Sequence, residues 1–202
     1  MSEPAAPVSE LGPDWVVAEM PPGYQNRLRE IQMLMADLEV MGRFGRLLTA
    51  TGGPLVESVR DVFASLPFET SALEAGGATI AVVLQGRGRL LVHVAENGAV
   101  VQKKSPEIAR VFQLLQEVAD DRDHVVLLTN TEPMTPPAGR GQAVTADASA
   151  LLARLGVSHM TTPTLFALWK LSLQEPERAR EQVARLHGHE AGTFDLPAYT
   201  RV

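Results

Sequence analysis

The 202-residue chain contains no cysteine. Disulfide frameworks, zinc–thiolate sites and thiol nucleophiles are therefore excluded, and the composition suits a reducing cytosol. Long apolar runs are absent too. The longest, such as Ile80 to Leu84, span only a few residues, whereas a membrane helix needs about 20. The opening MSEPAAPVSELGPDW has neither a basic n-region nor an apolar h-region, so it does not read as a secretory signal. Together these absences lead to the expectation of a cytoplasmic protein with no membrane partner.

There is also no excess of positive charge. Lys and Arg number 18 against 24 Asp and Glu, a formal net charge of −6. A non-specific nucleic-acid binder gains most of its affinity by neutralising phosphates and carries a basic face. The chain as a whole does not, although Arg43, Arg46, Lys103, Lys104 and Arg110 could form a local patch. Their plainer reading is solvated surface charge. GRGRLL at Gly86 to Leu91 lacks the Gly-Lys-Ser/Thr ending of a phosphate-binding loop, and no Gly-x-Ser-x-Gly elbow occurs. The histidines of HGH (His187 to His189) are one residue apart, which suggests no more than adventitious metal binding.

What is present is an ordinary globular composition, 45% hydrophobic, in a length that fits one domain with an added element. A domain of about 150 residues already hides roughly 70% of its unfolded surface. Residues 1–21, rich in Pro, Ala, Ser and Glu, read as a flexible tail. An amphipathic helix is expected over residues 22–49, with Leu28, Ile31, Met35 and Leu38 in one stripe. That stripe covers two heptads, too few to define a coiled coil, so it serves either packing onto the domain or a dimer contact.

TGGP (Thr51 to Pro54) breaks this helix, and Leu55, Val59, Val62, Phe63 and Leu66 mark the next. Three short strands follow: Thr70 to Glu74, Ala78 to Leu84 and Arg89 to Ala95. GGA and QGRGR lie between them as hairpin turns. A helix from Ser105 or Pro106 is expected to bury Ile108, Val111, Phe112, Leu115 and Val118. HVVLLTN (His124 to Asn130) reads as a strand buried on both faces. After a proline-rich loop, Thr145 caps a helix to Leu155, Val157 to Thr161 forms a strand, and Thr162 starts another helix. The charged stretch Glu175 to His187 forms a final helix before a weakly patterned tail. The order α-α-β-β-β-α-β-α-β-α-α predicts an α/β (α+β) fold, a mixed sheet flanked by helices. Its core should occupy residues 50–174, followed by a C-terminal helix and tail over 175–202.

Several segments resemble the restriction-endonuclease-like fold, the PD-(D/E)xK nuclease superfamily. The likeness runs from about residue 47 to 173. LLTATGGPLVESV resembles that family's opening helix, and HVVLLTN its valine-rich strand followed by Asn. VTADASALLARLGVSHMTTPTLFAL resembles its closing helix, strand and Thr-capped helix. Active members hold Mg²⁺ between a carboxylate on the second strand and the Glu of a Glu-x-Lys on the third. The lysine positions or deprotonates the attacking water. Carried onto this chain, the second-strand acid falls near Thr79 or Ile80, and Glu-x-Lys falls on His93 and Ala95. An acid sometimes found on the first helix falls near Val56, beside Glu57, and a glutamine on the following helix corresponds to Gln113. The resemblance thus implies a nuclease scaffold without its catalytic set.

Relocated chemistry would have to use Glu57, Glu74, His93 or Glu96. A lone strand histidine is more often packed than ligating, and strand alternation puts Glu96 on the face opposite His93. The leading expectation is a catalytically inactive module without cofactor. It would bind a protein partner or itself through Leu28, Ile31, Met35 and Leu38. The alternative is a Mg²⁺- or Mn²⁺-dependent nuclease or nucleic-acid binder with displaced active-site residues. TNTEPM, following the buried strand, is a further functional candidate or else a plain strand exit.

Overall fold

The computed structural model describes Val16 and residues 19–66, 68–73 and 77–196. The expectations for residues 1–15 and for Glu74 lie outside the described residues. Two compact units are distinguished, residues 1–42 and 43–202. Helix α1 (Tyr24–Thr49) begins in the first and ends in the second.

The second unit is a mixed α/β fold. Helix α2 (Gly52–Ser65) leads into strands β1 (Glu69–Ala72), β2 (Thr79–Leu84) and β3 (Gly88–Ala95). Helix α3 (Pro106–Glu117), strand β4 (His124–Thr129), helix α4 (Ala146–Arg154) and strand β5 (Ser158–Thr161) follow. Helices α5 (Thr162–Gln174) and α6 (Pro176–His187) precede a two-residue strand, β6 (Gly192–Thr193). The six strands lie in the order of the sequence. β1, β2 and β3 are antiparallel neighbours because short turns join them, while β3 to β6 are parallel and joined by helical crossovers.

Alternation along β3 sets the two faces. Leu90, Val92 and Val94 point one way and join Ile80, Val82, Val126, Leu128 and Met160 beneath α2, α5 and α6. Leu91 and Ala95 point the other way and join Ala81, Val125 and Leu127 beneath α3 and α4. Both faces are covered, so β2, β3 and β4 are buried along almost their whole length. Each fully buried Leu or Val contributes about 1.5–3 kcal/mol from removal of apolar surface from water. The start of β3 is pinned to the turn before β4. The Asp123 carboxylate accepts from the Arg89 backbone N–H at 2.9 Å and from the Arg89 guanidinium. Burial alone would raise the Asp123 carboxyl, but these bonds and the Asp120 N–H hold it below its usual value.

The fold departs from the sequence expectation at four places. Phe112 is 50% exposed, whereas the buried face of α3 runs through Glu107, Ile108, Val111 and Leu114. At 3.6 residues per turn, Phe112 lies about 110° from the centre of that face. Thr145 occupies the N-cap of α4 in extended backbone, yet its side chain makes no capping bond. The same holds for Thr161 before α5, whose hydroxyl meets that of Thr164 at 3.1 Å. Finally, the core does not stop at residue 174. Ala179, Val183, Leu186 and Phe194 belong to the larger core, and β6 extends the sheet. Among the described residues, no helix is long and apolar enough to cross a membrane.

Candidate functional site

Antiparallel register places Thr79 opposite His93. Both are buried on the face that α3 covers, and Thr79 Oγ1 lies 3.1 Å from His93 Nδ1. Removal from water pushes the His93 pKa down to about 4, and the nearby Arg110 guanidinium adds to the effect. The imidazole is therefore neutral at pH 7. Ala95, two residues on, shares this face and packs among Val101, Ile108 and Val111. The three positions marked by the family resemblance thus meet on one surface of the sheet. They carry a hydroxyl, a neutral imidazole and a methyl group.

Helix α3 closes over them. Asn97, just beyond β3, donates from Nδ2 to Glu107 Oε1 at 2.7 Å, which ties the first turn of α3 to the end of the strand. Glu107 is buried, and its Oε2 has no hydrogen-bond partner. Arg110 follows one turn later on the same helix. Among the described residues, no group of three or more His, Asp or Glu is arranged to hold a metal ion.

The fallback residues lie elsewhere. Glu57 is exposed on α2, and its neighbour Val56 packs into the core on the opposite face of the sheet from His93. Glu96 is exposed beyond β3, where its backbone carbonyl accepts from Gly52 N–H at 2.9 Å. Gln113 is exposed and runs along the outside of α3, accepting from Arg110 at 2.6 Å and donating to Glu117 at 2.8 Å. Lys103 and Lys104 are exposed, as are Arg43 and Arg46. Of the α1 stripe, Leu28 is half-buried and Ile31, Met35 and Leu38 are exposed.

Two polar clusters were not assembled by the sequence reading, although TNTEPM and HGH each supply part of one. The first centres on Asn130, at the C-terminal end of β4. Its Nδ2 donates to the Ala50 carbonyl at 2.7 Å; its Oδ1 accepts from Thr162 at 2.6 Å and from Arg140 at 2.7 Å. Arg140 also donates to the carbonyls of Thr135 and Leu48. The hub joins the end of α1, the end of β4, the proline loop and the start of α5. The polar groups of Asn130 are consumed by structure, which gives the Asn after the valine-rich strand a physical role. The second cluster lies at the other end of the sheet. Ser158 Oγ sits 2.8 Å from His124 Nε2 and 2.7 Å from His189 Nδ1. His187 Nε2 donates to the Arg122 carbonyl at 3.0 Å. Burial first, and then His187 and His189, push the His124 pKa down to about 4. A serine hydroxyl has one proton, so it donates to at most one of these rings and must accept from the other if both bonds form. The HGH motif was the visible signal for half of this cluster, but its partners lie more than 30 residues away. Glu107 and Asn97 carried no signal beyond a Pro-Glu helix start and an Asn-Gly turn.

Compared with known proteins, the chain matches no family model, and no curated protein or solved structure is significantly similar to it.

Proposed function

We propose that this chain is a restriction-endonuclease-like domain that has lost its metal-dependent chemistry and serves as a protein-interaction or scaffold module in the cytoplasm. One observation carries the reading: Thr79, His93 and Ala95 share one buried surface where that fold's nucleases keep two carboxylates and a lysine. A neutral imidazole bonded to a threonine cannot replace a pair of carboxylates as a hard-cation site. The net charge of −6 and the exposed apolar residues of α1 support a protein partner over nucleic acid.

The purified chain is expected to cleave neither single- nor double-stranded DNA or RNA in Mg²⁺ or Mn²⁺. Metal-dependent cleavage that survives further purification overturns the reading. A second reading, a nuclease with relocated groups, is favoured by the buried, half-partnered Glu107 on the helix that covers His93. It requires that any cleavage be abolished by Glu107→Gln or His93→Ala.

A further inference from the structure

We propose that residues 188–196, which carry β6, form an acid-released latch: His124 and His189 hold the segment on the sheet through Ser158 while at least one ring is neutral, and let it go when both are protonated. The latch does not depend on the module reading above. Few contacts fasten the segment. Gly192 and Thr193 pair with Ser158 and His159 over two residues only, and the Phe194 N–H donates to the His159 carbonyl at 2.8 Å. β6 stands at the end of the strand order, so it is held from one side. The Phe194 ring is buried in the larger core, with the His189 ring edge-on at 5.5 Å and the Arg185 guanidinium over it at 4.9 Å. His189 thus joins this anchor to Ser158, and Ser158 joins it to His124 on β4.

Proton bookkeeping sets the release. Ser158 is fully buried, and its hydroxyl carries one proton. With both rings neutral, one accepts that proton and the other donates to the oxygen. One added proton leaves this chain of bonds intact. A second makes both facing nitrogens donors, so the Ser158 proton loses its acceptor and two cations share one oxygen. The His187 ring, centred 6.3 Å from that of His124, adds a third titratable group. The nearby carboxylates do not offset this charge. Asp123, before His124, is bonded to Arg89. Asp195 lies beyond Phe194, where it accepts from Thr164 at 3.3 Å, and Glu190, after His189, is exposed and screened by solvent. Arg122 and Arg185 add positive charge. His159 faces the other side of the sheet, against Thr129. Burial, His187 and His189 already push the His124 pKa down to about 4. The closed segment therefore resists a proton that the open one takes up between pH 6.5 and 4, and acid favours opening.

Backbone hydrogen exchange on the full chain, corrected for the intrinsic effect of pH, reads the latch. The Phe194 amide should lose about tenfold or more of its protection between pH 7 and pH 5. It should also exchange faster than the amides of Val126 and Leu128 in the buried strand β4 at both pH values, which marks opening of the segment without the core. In His124→Gln one ring no longer titrates, and the loss at Phe194 should shrink to about threefold or less. The core amides should keep their own acid dependence, set by the other buried histidines. If that variant does not fold, His189→Gln, at a half-buried position, removes the second ring instead and should act in the same way. Unchanged Phe194 protection between pH 7 and pH 5 overturns the proposal. So does Phe194 exchange that only matches the core amides, or a full loss that persists in either variant.

Discussion

Lowering the pH from 7 to 5 should destabilise the fold by about 4 kcal/mol through two histidines alone. His93 and His159 are both buried, and each is held at a pKa of about 4 against an ordinary 6.5. Burial is the main cause for both. Arg110 adds to it at His93, and Asp195 partly opposes it at His159. Each ring also sits against a threonine hydroxyl, Thr79 at 3.1 Å and Thr129 at 2.9 Å. On unfolding, each ring returns to water and to its ordinary pKa. Between pH 6.5 and pH 4, the unfolded chain therefore binds protons that the folded chain refuses. The stabilisation is complete above pH 6.5 and drains away as the pH falls towards 4. At pH 5 the loss is about 2 kcal/mol for each ring, at roughly 1.4 kcal/mol per pH unit. His124 acts in the same direction. Carboxylates such as Asp123, held below their usual values, contribute their change at more acid pH. Urea unfolding at pH 7, 6 and 5 measures the slope. In the His93→Gln/His159→Gln double variant, the slope should fall by about two protons. Stability that stays flat from pH 7 to 5, or an unchanged slope in the double variant, would refute the assignment of both rings as neutral and desolvated.

Two further perturbations test the packing. Gly88 has φ +128°, and a Cβ there would lie 2.2 Å from the Arg122 carbonyl oxygen. Gly88→Ala should therefore cost about 3 kcal/mol or more in chemical denaturation, whereas Gly53→Ala, in open space on α2, should be neutral or slightly stabilising. Equal stabilities for the two variants would contradict the close approach of β3 to the turn before β4. Asn130→Ala removes the hub of four hydrogen-bonding residues and strands the Arg140 and Thr162 donors; a loss of about 3 kcal/mol, seen as a fall in Tm of roughly 8 °C, is expected. A Tm within about 1 °C of the unmodified chain would show that water replaces those bonds freely.

Much of the sheet was legible because its signals are local. β3 and β4 are short apolar runs between turn residues, and the hairpin glycines fix the antiparallel pair. The sequence left Thr79 and Ile80 open as the second-strand position; the strand register decides for Thr79, which lies opposite His93. The apolar phase of α3 was less secure. Several apolar residues occupy neighbouring angles there, and only packing decides that Leu114 goes in while Phe112 stays out. β6 could not be read at all, because two residues have no period; Phe194 reveals its place only once the core is built. The Ser158 cluster was hidden for a related reason. Its rings come from β4 and the segment after α6, and the parallel crossovers bring them together.

The strand order repeats the chain order from β1 to β6. A sheet of this kind can be laid down as it is synthesised, since each new strand docks on one that has already left the ribosome and no strand waits for a later one to be inserted beside it. The antiparallel β1–β3 hairpins are the most local pairings of the sheet. Each later crossover places one more strand beside the one before it, and the last pairing joins Gly192 and Thr193 to Ser158 and His159.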